Sequence, residues 1–376
     1  MKHIGLQPKN NERTLLLEFV GFHSSFNPVW NHITLALRND FPVAIAESSK
    51  GEVPDYLFFS CHGVLHTDPR YDKCVKIYTN EENIRPPWHE CDYAMTSDRL
   101  AEADCRHLRL PIYATYLKHS KDNTGKTIVK PSGRDLKLAL ARKTRFCNFV
   151  YSNAGAKERI AFFEMLSKYK RVDSGGAVLN NMNGSRVGDK VTFLEEYKFT
   201  IAFENSRYPG YISEKIVEPM LSNSIPIYWG CRDVGDDFNP FSFVCANEPE
   251  GSNGFELIHH FEQVIRKIVW LDTHDADYVS MMSEPWFHNN EPNIYCQPYY
   301  IREFLRRVFN TSRLSLPKRP PSPPPPLIVA PKLTAESIEE HKPSTASNSS
   351  LPRGKCWADQ VPTTRKHSNV KKWSQG

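Results

Sequence analysis

Short apolar runs alternate with longer mixed segments near the start of the chain. Residues 15–20, 56–60, 75–78 and 93–95 are rich in β-branched and aromatic residues, a composition typical of strands. Residues 30–39, between the first two runs, have the apolar spacing of a helix. Because strands that alternate with helices are typical of a parallel sheet covered by helices, the pattern predicts a first α/β layer.

A second α/β set begins further along the chain. Residues 146–152 have the pattern of a strand, and a short loop joins them to a helix predicted at 158–169. A further strand is predicted at 241–246. Between the two sets, residues 118–134 are polar and contain Asn-Thr-Gly and Pro-Ser-Gly turn signals, which predict a crossing between domains. Two α/β domains with a cleft between them are therefore expected.

We place the domain boundaries where the composition changes. The first α/β domain is predicted over residues 1–138 and the second over 139–312. Beyond them, a Pro-rich run at 320–326 favours polyproline II, and the Ser-rich run 344–350 has few apolar residues with which to build a core. Residues 313–376 are therefore predicted to be a disordered, Pro-rich and basic tail.

Residues 197–230 combine a strand, a loop, a helix and a second strand. The strands are predicted at 199–203 and 225–229, and Ser213 can cap a helix that begins near Glu214. Ligands bind at the carboxyl ends of parallel strands, and a helix amino terminus there favours phosphate. We therefore predict a site for an anionic ligand that includes a carboxylate. The polar residues crowded into this turn are Glu204, Asn205, Ser206, Arg207, Tyr208, Tyr211, Glu214 and Lys215.

Three pieces of this block resemble, in order and spacing, the signature of the family 10 glycosyltransferases, the α-1,3/4-fucosyltransferases. They are Phe203-Glu204-Asn205, then Tyr211-Ile212-Ser213-Glu214-Lys215, then Ile225-Pro226-Ile227-Tyr228-Trp229-Gly230. The resemblance is strongest within residues 146–247 and is greatest to bacterial members, the Helicobacter enzymes in particular. It implies the GT-B fold, in which two Rossmann-like α/β domains face each other across a cleft.

The resemblance also implies an activity and its substrates. The expected reaction is inverting transfer of L-fucose from GDP-β-L-fucose to O3 of GlcNAc in N-acetyllactosamine-type glycans, giving Lewis x structures on lipopolysaccharide O-chains. The acceptor is expected in the amino-terminal half, near His23, Trp30 and Glu82. Spacing alone supports only a sugar-nucleotide transferase. Another GT-B donor, an α-1,4 linkage and a glycan-binding protein without catalysis stay open as alternatives.

Two cations are expected to meet the diphosphate. Departure of a nucleoside diphosphate develops negative charge, which fixed cations and N–H groups stabilise. The resemblance assigns this role to Lys215, in the first turn of the helix, and to Arg159, in a strand-loop-helix segment that begins at Tyr151. The alternatives are a surface lysine paired with Glu218 and an ordinary surface arginine.

Three further residues are carried over from the family motif. Asn205 and Tyr211 match positions that contact the nucleotide, with an Asn cap or a buried tyrosine as the alternative. Glu214 matches a glutamate beside the fucose, although a carboxylate at a helix amino terminus also stabilises the helix dipole. Glu204 is expected to support the loop.

The general base is assigned from residues 78–87. Attack by an acceptor hydroxyl needs a positioned carboxylate that takes its proton. The segment resembles a family motif in which Thr-Gly-Glu-Asn contains the catalytic glutamate, and the matching Glu-Asn-Ile-Arg-Pro selects Glu82. Asn80-Glu81 stands where the family has a single Gly, which leaves Glu81 as a rival. Two adjacent like charges can raise the pKa of one of them.

No metal is expected to be required, because the two cations can neutralise the diphosphate. Stimulation by divalent ions through the diphosphate product is left open. Asp275-Ala276-Asp277 matches the DxD of metal-dependent transferases in form, but it precedes a helical pattern and is interpreted as the start of a helix. Asp233, Asp236 and Asp237 are interpreted as a turn.

Composition limits the compartment and the partners. The nine cysteines are scattered without a CxxC pair, which indicates reduced, mostly buried thiols. No apolar run approaches the length of a membrane span. The prediction is a cytoplasmic protein. The chain has a net charge of +5, and basic residues are concentrated near the end of the tail beside two tryptophans. Two interpretations of the tail stay open: peripheral contact with an anionic inner membrane, and a solvated tail. No motif supports a nucleic-acid partner.

Overall fold

Two sheets, of seven and five strands, organise the described part of the chain. The computed structural model describes residues 2–5, 13–100, 105–119, 130 and 133–311. The tail predicted at 313–376 lies outside the described residues, as does most of the crossing predicted at 118–134.

The first sheet has the strand order β1-β3-β2-β4-β5-β6-β7. Strand β1 is antiparallel to β3, and the other neighbours are parallel. The four strands predicted in this part of the chain are confirmed to within one residue at their carboxyl ends. The bounds are β1 Lys2–His3, β2 Leu15–Val20, β3 Val43–Ile45, β4 Tyr56–Phe59, β5 Val75–Thr79, β6 Tyr93–Thr96 and β7 His107–Arg109.

Both faces of the first sheet are covered, which explains its almost uninterrupted apolar strands. One face packs against helix α1 (His32–Leu37) and the late helix α10 (Pro298–Asn310). The other face packs against loops that carry Tyr71, Cys74 and Cys91. Helix α1 begins two residues later than predicted because the side chain of Asn31 caps it, accepting hydrogen bonds from the N–H groups of Ile33 and Thr34 at 3.0 Å each.

The second sheet is parallel throughout, in the order β12-β11-β10-β8-β9. Its predicted last strand, 241–246, is corrected to two residues. Pro240 starts a short 3₁₀ helix there, and Asn239 caps it by accepting a hydrogen bond from Phe241 N–H at 3.1 Å. The bounds are β8 Arg145–Phe149, β9 Val172–Ser174, β10 Tyr197–Phe203, β11 Ile225–Trp229 and β12 Val244–Cys245.

Helices cover both faces of the second sheet. One face packs against α4, α8 and α9, and the other packs against α2 and α6. Among the described helices, none combines the length and the apolar character needed to cross a membrane. The bounds are α2 Ile112–His119, α3 Gly133–Ala141, α4 Lys157–Ser167, α5 Lys190–Leu194, α6 Glu214–Leu221, α7 Val234–Asp237, α8 Gly254–Thr273 and α9 Asp275–Ser283. Short 3₁₀ helices span Ser48–Lys50, Leu65–Thr67, Pro69–Tyr71, Pro240–Ser242, His288–Asn290 and Ile294–Cys296.

Packing crosses between the two halves of the chain. Helix α2 follows the first sheet in sequence but shares an apolar core with α6, which covers the second sheet. Helix α10 comes after the second sheet and returns to the first. The boundaries proposed at residues 138 and 312 stay predictions, and a single cut in the chain does not separate the two cores.

The strand order of each sheet creates one switch point. In the second sheet, β8 and β10 are neighbours, and the chain leaves them toward opposite edges. In the first sheet, the corresponding neighbours are β2 and β4. Ligands of open α/β sheets bind outside the carboxyl ends of strands at such a point. The loops after these strands are therefore the places to look for a site.

A buried ion pair joins the first sheet to α7. Arg109, at the end of β7, donates to Asp237 at 2.6 and 3.1 Å, and Arg99 donates to the same carboxylate at 2.8 Å. Asp237 is only 2% exposed. The sequence interpretation of this segment as a simple turn is thus incomplete, because its last aspartate links the two halves of the molecule. Gly210 lies beside this pair, and its carbonyl accepts a hydrogen bond from Arg109 at 3.3 Å.

Gly210→Ala tests the closeness of this junction. Gly210 has φ +84°, and a Cβ there would lie 2.2 Å from the carbonyl oxygen of Ser97. We expect a loss of about 2–4 kcal/mol in the free energy of unfolding, from strain plus overpacking. Gly251→Ala is the matched control because Gly251 has φ +80° with open space around it, so that strain alone predicts about 1 kcal/mol. Equal losses in urea denaturation would contradict a close junction.

Candidate active site

Two loops from different sheets meet at the cleft. Loop A is residues 80–86, which follow β5 of the first sheet. Loop B is residues 204–213, which join β10 of the second sheet to α6. The two loops touch, because Asn83 Nδ2 donates to Ser206 Oγ at 2.6 Å. Most of the residues singled out from the sequence lie on these loops or within the first turn of the adjoining helices.

Arg159 lies under loop B rather than on the surface. It is the third residue of α4, the helix that follows β8 and its loop, and it is 1% exposed. Its Nη2 donates to Glu204 O at 2.9 Å and to Asn205 Oδ1 at 2.7 Å, and its guanidinium carbon lies 3.9 Å from the centre of the Tyr151 ring. Within the described residues these partners are all neutral, and Arg159 Nε is buried without a hydrogen-bond acceptor.

Lys215 is the second cation and is held by two carboxylates. Its Nζ lies 3.3 Å from Glu204 Oε2 and 3.3 Å from Glu214 Oε1, and it donates to Ser213 Oγ at 2.9 Å. Glu204 is fully buried and accepts hydrogen bonds from both the backbone and the hydroxyl of Ser213. The expected supporting role of Glu204 is thus to join the start of loop B to its last residue, Ser213, and to Lys215 in the first turn of α6.

The pKa values in this cluster follow from burial and mutual charge. Burial raises the pKa of Glu204, and the positive charge of Lys215 only partly offsets it. For Lys215, burial alone would lower the pKa, but the two carboxylates outweigh burial and raise it. For Glu214, burial is outweighed by Lys215 and Lys190, which hold its pKa below the ordinary value. Lys215 and Glu214 are therefore charged at neutral pH.

Asn205, Tyr211 and Glu214 surround the same turn. Asn205 is exposed, with its side-chain oxygen held by Arg159. Tyr211 is 2% exposed, and burial raises the pKa of its hydroxyl, with contributions from nearby carboxylates that include Glu82. Glu214 is the first residue of α6, so the capping alternative and a ligand contact use the same position. The structure thus brings the predicted nucleotide residues together, while their roles remain predictions.

Loop A presents two adjacent glutamates with different surroundings. The backbone of Glu82 is fixed by Asn80, whose side chain accepts from Glu82 N–H and donates to Glu82 O, both at 3.1 Å. Glu81 accepts a hydrogen bond from Thr115 Oγ1 at 3.2 Å, across to α2. Glu81 is exposed as a residue, and this hydrogen bond holds its carboxylate against α2. Desolvation of the carboxylate raises its pKa, and the charges of Glu214 and Glu82 act in the same direction.

Tyr151 and Thr115 are site residues that the sequence did not mark as functional. Tyr151 is buried and accepts from Phe203 N–H at 2.8 Å while donating to Ile201 O at 2.7 Å, so it fixes the end of β10 and provides the ring under Arg159. Thr115 lies on α2, far from the motifs in sequence. A polar residue in a helix gives no signal that it faces a loop from another part of the chain.

The candidate metal motif belongs to a helix. Asp275 and Asp277 lie in the first turn of α9, where they complement the helix dipole. Asp277 accepts a hydrogen bond from Trp270 Nε1 at 2.7 Å. In the part of the chain that the structure describes, no three metal-ligating side chains are gathered into a site. A reaction without a required metal stays a prediction, and Arg159 and Lys215 are the groups that would meet a diphosphate.

Family models match both halves of the chain. Residues 17–116 match the amino-terminal domain of the α-(1,3)-fucosyltransferase FucT, and residues 140–281 match the carboxyl-terminal domain of glycosyltransferase family 10, the fucosyltransferases. The chain belongs to glycosyltransferase family 10. The α-(1,3)-fucosyltransferase FucT of Helicobacter pylori is 31% identical over 257 residues, which cover 62% of this chain. The chain spans about half of that relative's length, 52%.

Solved α1,3-fucosyltransferase structures have the same fold. A crystal structure of an α1,3-fucosyltransferase matches with a TM-score of 0.65 and 25% identity, covering 81% of this chain and 92% of that one. The complex with GDP-fucose matches with a TM-score of 0.60 and 25% identity, covering 82% and 94%. The predicted GT-B fold is therefore confirmed, and the second of these proteins binds the donor that the sequence predicts.

Lys215→Met should destabilise this family 10 chain in a pH-dependent way. The variant leaves the buried Glu204 carboxylate without its cation, which costs about 3–5 kcal/mol when the carboxylate is charged. Because folding raises the pKa of Glu204, the protonated form favours the folded state. That contribution is complete below the unfolded pKa and is lost as the pH rises through the folded value.

The urea unfolding free energy of Lys215→Met should therefore fall further below wild type at pH 8 than at pH 5. Exposed Lys168→Met is the control and should show no such difference. Restoration at pH 8 by the double variant Lys215→Met/Glu204→Gln is also expected. A deficit that is independent of pH would contradict the buried pair.

Proposed function

We propose that the protein is an inverting α-1,3-fucosyltransferase that moves L-fucose from GDP-β-L-fucose to O3 of GlcNAc in N-acetyllactosamine-type glycans. The observation that carries the proposal is the pair of cations at the switch point of the second sheet. Arg159 is buried among neutral groups, and Lys215 lies in the first turn of α6. Membership of family 10 and the match to a GDP-fucose complex support the choice of donor.

The donor would lie with its diphosphate against loop B. Arg159 and Lys215 would neutralise the leaving diphosphate, and the backbone N–H groups at the start of α4 would add donors, because its N-cap residue Ala156 makes no side-chain cap. Asn205 and Tyr211 would contact the nucleotide, and Glu214 would face the fucose. No metal has a required part in this scheme.

The reaction would proceed by one displacement. A loop A carboxylate removes the proton from the acceptor O3 hydroxyl as that oxygen forms a bond to C1 of fucose. The bond from C1 to the β-phosphate oxygen breaks, and its electron pair leaves with GDP. Attack from the face opposite the diphosphate inverts C1, as in inverting glycosidases. This geometry needs the base and the diphosphate site on opposite sides of the sugar, and loops A and B come from opposite sheets.

Glu82 is the proposed base and Glu81 its rival. The backbone of Glu82 is fixed by Asn80, and its carboxylate is near enough to Tyr211 and Cys61 to contribute to the raised pKa of each. Glu81 already accepts a hydrogen bond from Thr115. Its raised pKa is a property that suits a base, and so the assignment depends on experiment.

The acceptor would bind at the switch point of the first sheet. His23 follows β2 and His62 follows β4, and their ring centres are 6.0 Å apart. Trp30 is 63% exposed on the same connection and offers an apolar face to a sugar ring. Lewis x synthesis on lipopolysaccharide O-chains is the biological setting that we propose. It accords with a cytoplasmic protein whose basic tail, residues 313–376, rests on the inner membrane.

A donor-by-acceptor transfer assay with NMR of the product linkage tests the function. Wild type should transfer fucose from GDP-fucose to N-acetyllactosamine with an α-1,3 linkage. Glu82→Gln should lower kcat by about 10²–10⁴-fold, the usual contribution of a general base. Glu81→Gln should lower it less, and Glu262→Gln, on the exposed side of α8, should have no effect.

Other results of the same assay would change the assigned base, the linkage or the proposed function. Loss of activity in Glu81→Gln with retention in Glu82→Gln would make Glu81 the base. An acid limb of kcat/KM above the ordinary glutamate pKa would support that exchange, because the pKa of Glu81 is raised. An α-1,4 product would change the linkage. Binding of GDP without turnover in wild type would contradict the proposed enzyme and favour a glycan-binding protein.

A further inference from the structure

Loops A and B are joined by two side-chain contacts across the cleft, which we call the clasp. Asn83 of loop A donates to Ser206 Oγ of loop B at 2.6 Å. Beside it, the guanidinium carbon of Arg85 lies 3.2 Å from the centre of the Tyr208 ring. The clasp therefore consists of Asn83 and Arg85 on the first sheet's side and of Ser206 and Tyr208 on the second sheet's side.

The loop A half of the clasp is anchored to the first sheet. Arg85 pairs with Asp98, which is 2% exposed and also accepts from Thr96 Oγ1 at 2.5 Å at the end of β6. Arg85 also donates to Asn83 Oδ1, which orients the Asn83 amide so that its Nδ2 points to Ser206. Arg85 thus connects the two contacts to each other and anchors both to the end of β6 through Asp98.

The clasp lies next to the groups that the chemistry would use. Asn83 immediately follows Glu82, and Ser206 immediately follows Asn205, whose side chain binds Arg159. A shift of loop A against loop B at the Asn83–Ser206 contact would therefore move the candidate base relative to the candidate nucleotide contact. The separate ion pair of Arg109 with Asp237 already joins the two halves of the molecule elsewhere, so the clasp is not needed to hold them together.

We infer that the clasp positions the general base: it sets the distance between loop A and a donor bound on loop B, and donor binding in turn orders loop A. Asn83, Arg85, Ser206 and Tyr208 are then positioning residues that do not touch the reacting atoms. This inference rests on the proposed function. A small misplacement of a catalytic group costs about 10²-fold in rate, so a loosened clasp should lower kcat much more than it weakens donor binding.

Transfer kinetics provide the first test. Tyr208→Leu and Asn83→Ala should each lower kcat by about 10–100-fold, with the KM for GDP-fucose changing less than about 3-fold. Tyr208→Phe keeps the ring face under Arg85 and should recover most of kcat. Tyr299→Leu makes the same change at a 45% exposed position on α10 and should match wild type. Unchanged kcat in folded Tyr208→Leu, or no rescue by Tyr208→Phe, would overturn the clasp.

Hydrogen exchange tests the clasp without relying on turnover. In the protein without ligand, Tyr208→Leu should speed amide exchange of residues 80–86 relative to wild type and to Tyr299→Leu. Adding GDP should slow exchange of these residues in wild type but not in Tyr208→Leu. Equal exchange of loop A in all three proteins would overturn the clasp. If wild type binds no GDP and transfers no fucose, the proposed function fails, whereas the ligand-free comparison still decides whether Tyr208 orders loop A.

Discussion

The site depends on a buried positive charge, that of Arg159, to which no carboxylate is paired among the described residues. Burying a guanidinium costs free energy because it loses its contacts with water. Around Arg159, hydrogen bonds to neutral oxygens and the face of the Tyr151 ring offset part of this cost. Lys215 is balanced by Glu204 and Glu214, and the chain is ordered around that balance from the end of β10 into α6. An anion at the switch point would supply the negative charge that Arg159 lacks and would lie beside the Lys215 cluster.

The rest of the architecture brings the two glutamates of loop A to the side of the cleft opposite Arg159 and Lys215. Parallel strands end at one edge of each sheet, so the loops after β5 and β10 reach the cleft from opposite sides. The buried pair of Arg109 with Asp237 fixes the relation of the first sheet to α7, and the close approach at Gly210 leaves little room for sliding. Loop A can therefore carry a base at a defined distance from loop B without belonging to the same sheet.

Local pattern was enough to predict most strands and both α/β layers, because short apolar runs rich in β-branched and aromatic residues alternate with longer segments of helical spacing. It failed at residues 241–246, where Pro240 and the cap from Asn239 override an apolar run. The motif residues of loop B were found together as predicted. Tyr151, Thr115 and the partners of Asp237 were not marked as important, since their roles arise from contacts between segments distant in sequence. For the two adjacent glutamates of loop A, the motif match selects Glu82 and leaves Glu81 as a rival, whereas their different surroundings are a property of the fold.

A crystal structure of the protein with GDP would show directly whether these two cations hold a diphosphate. We expect the diphosphate at the β8–β10 switch point, with its oxygens within hydrogen-bonding distance of Lys215 Nζ and the Arg159 guanidinium. GDP bound elsewhere, with Lys215 still paired only to Glu204 and Glu214 and with Arg159 unchanged, would contradict this expectation.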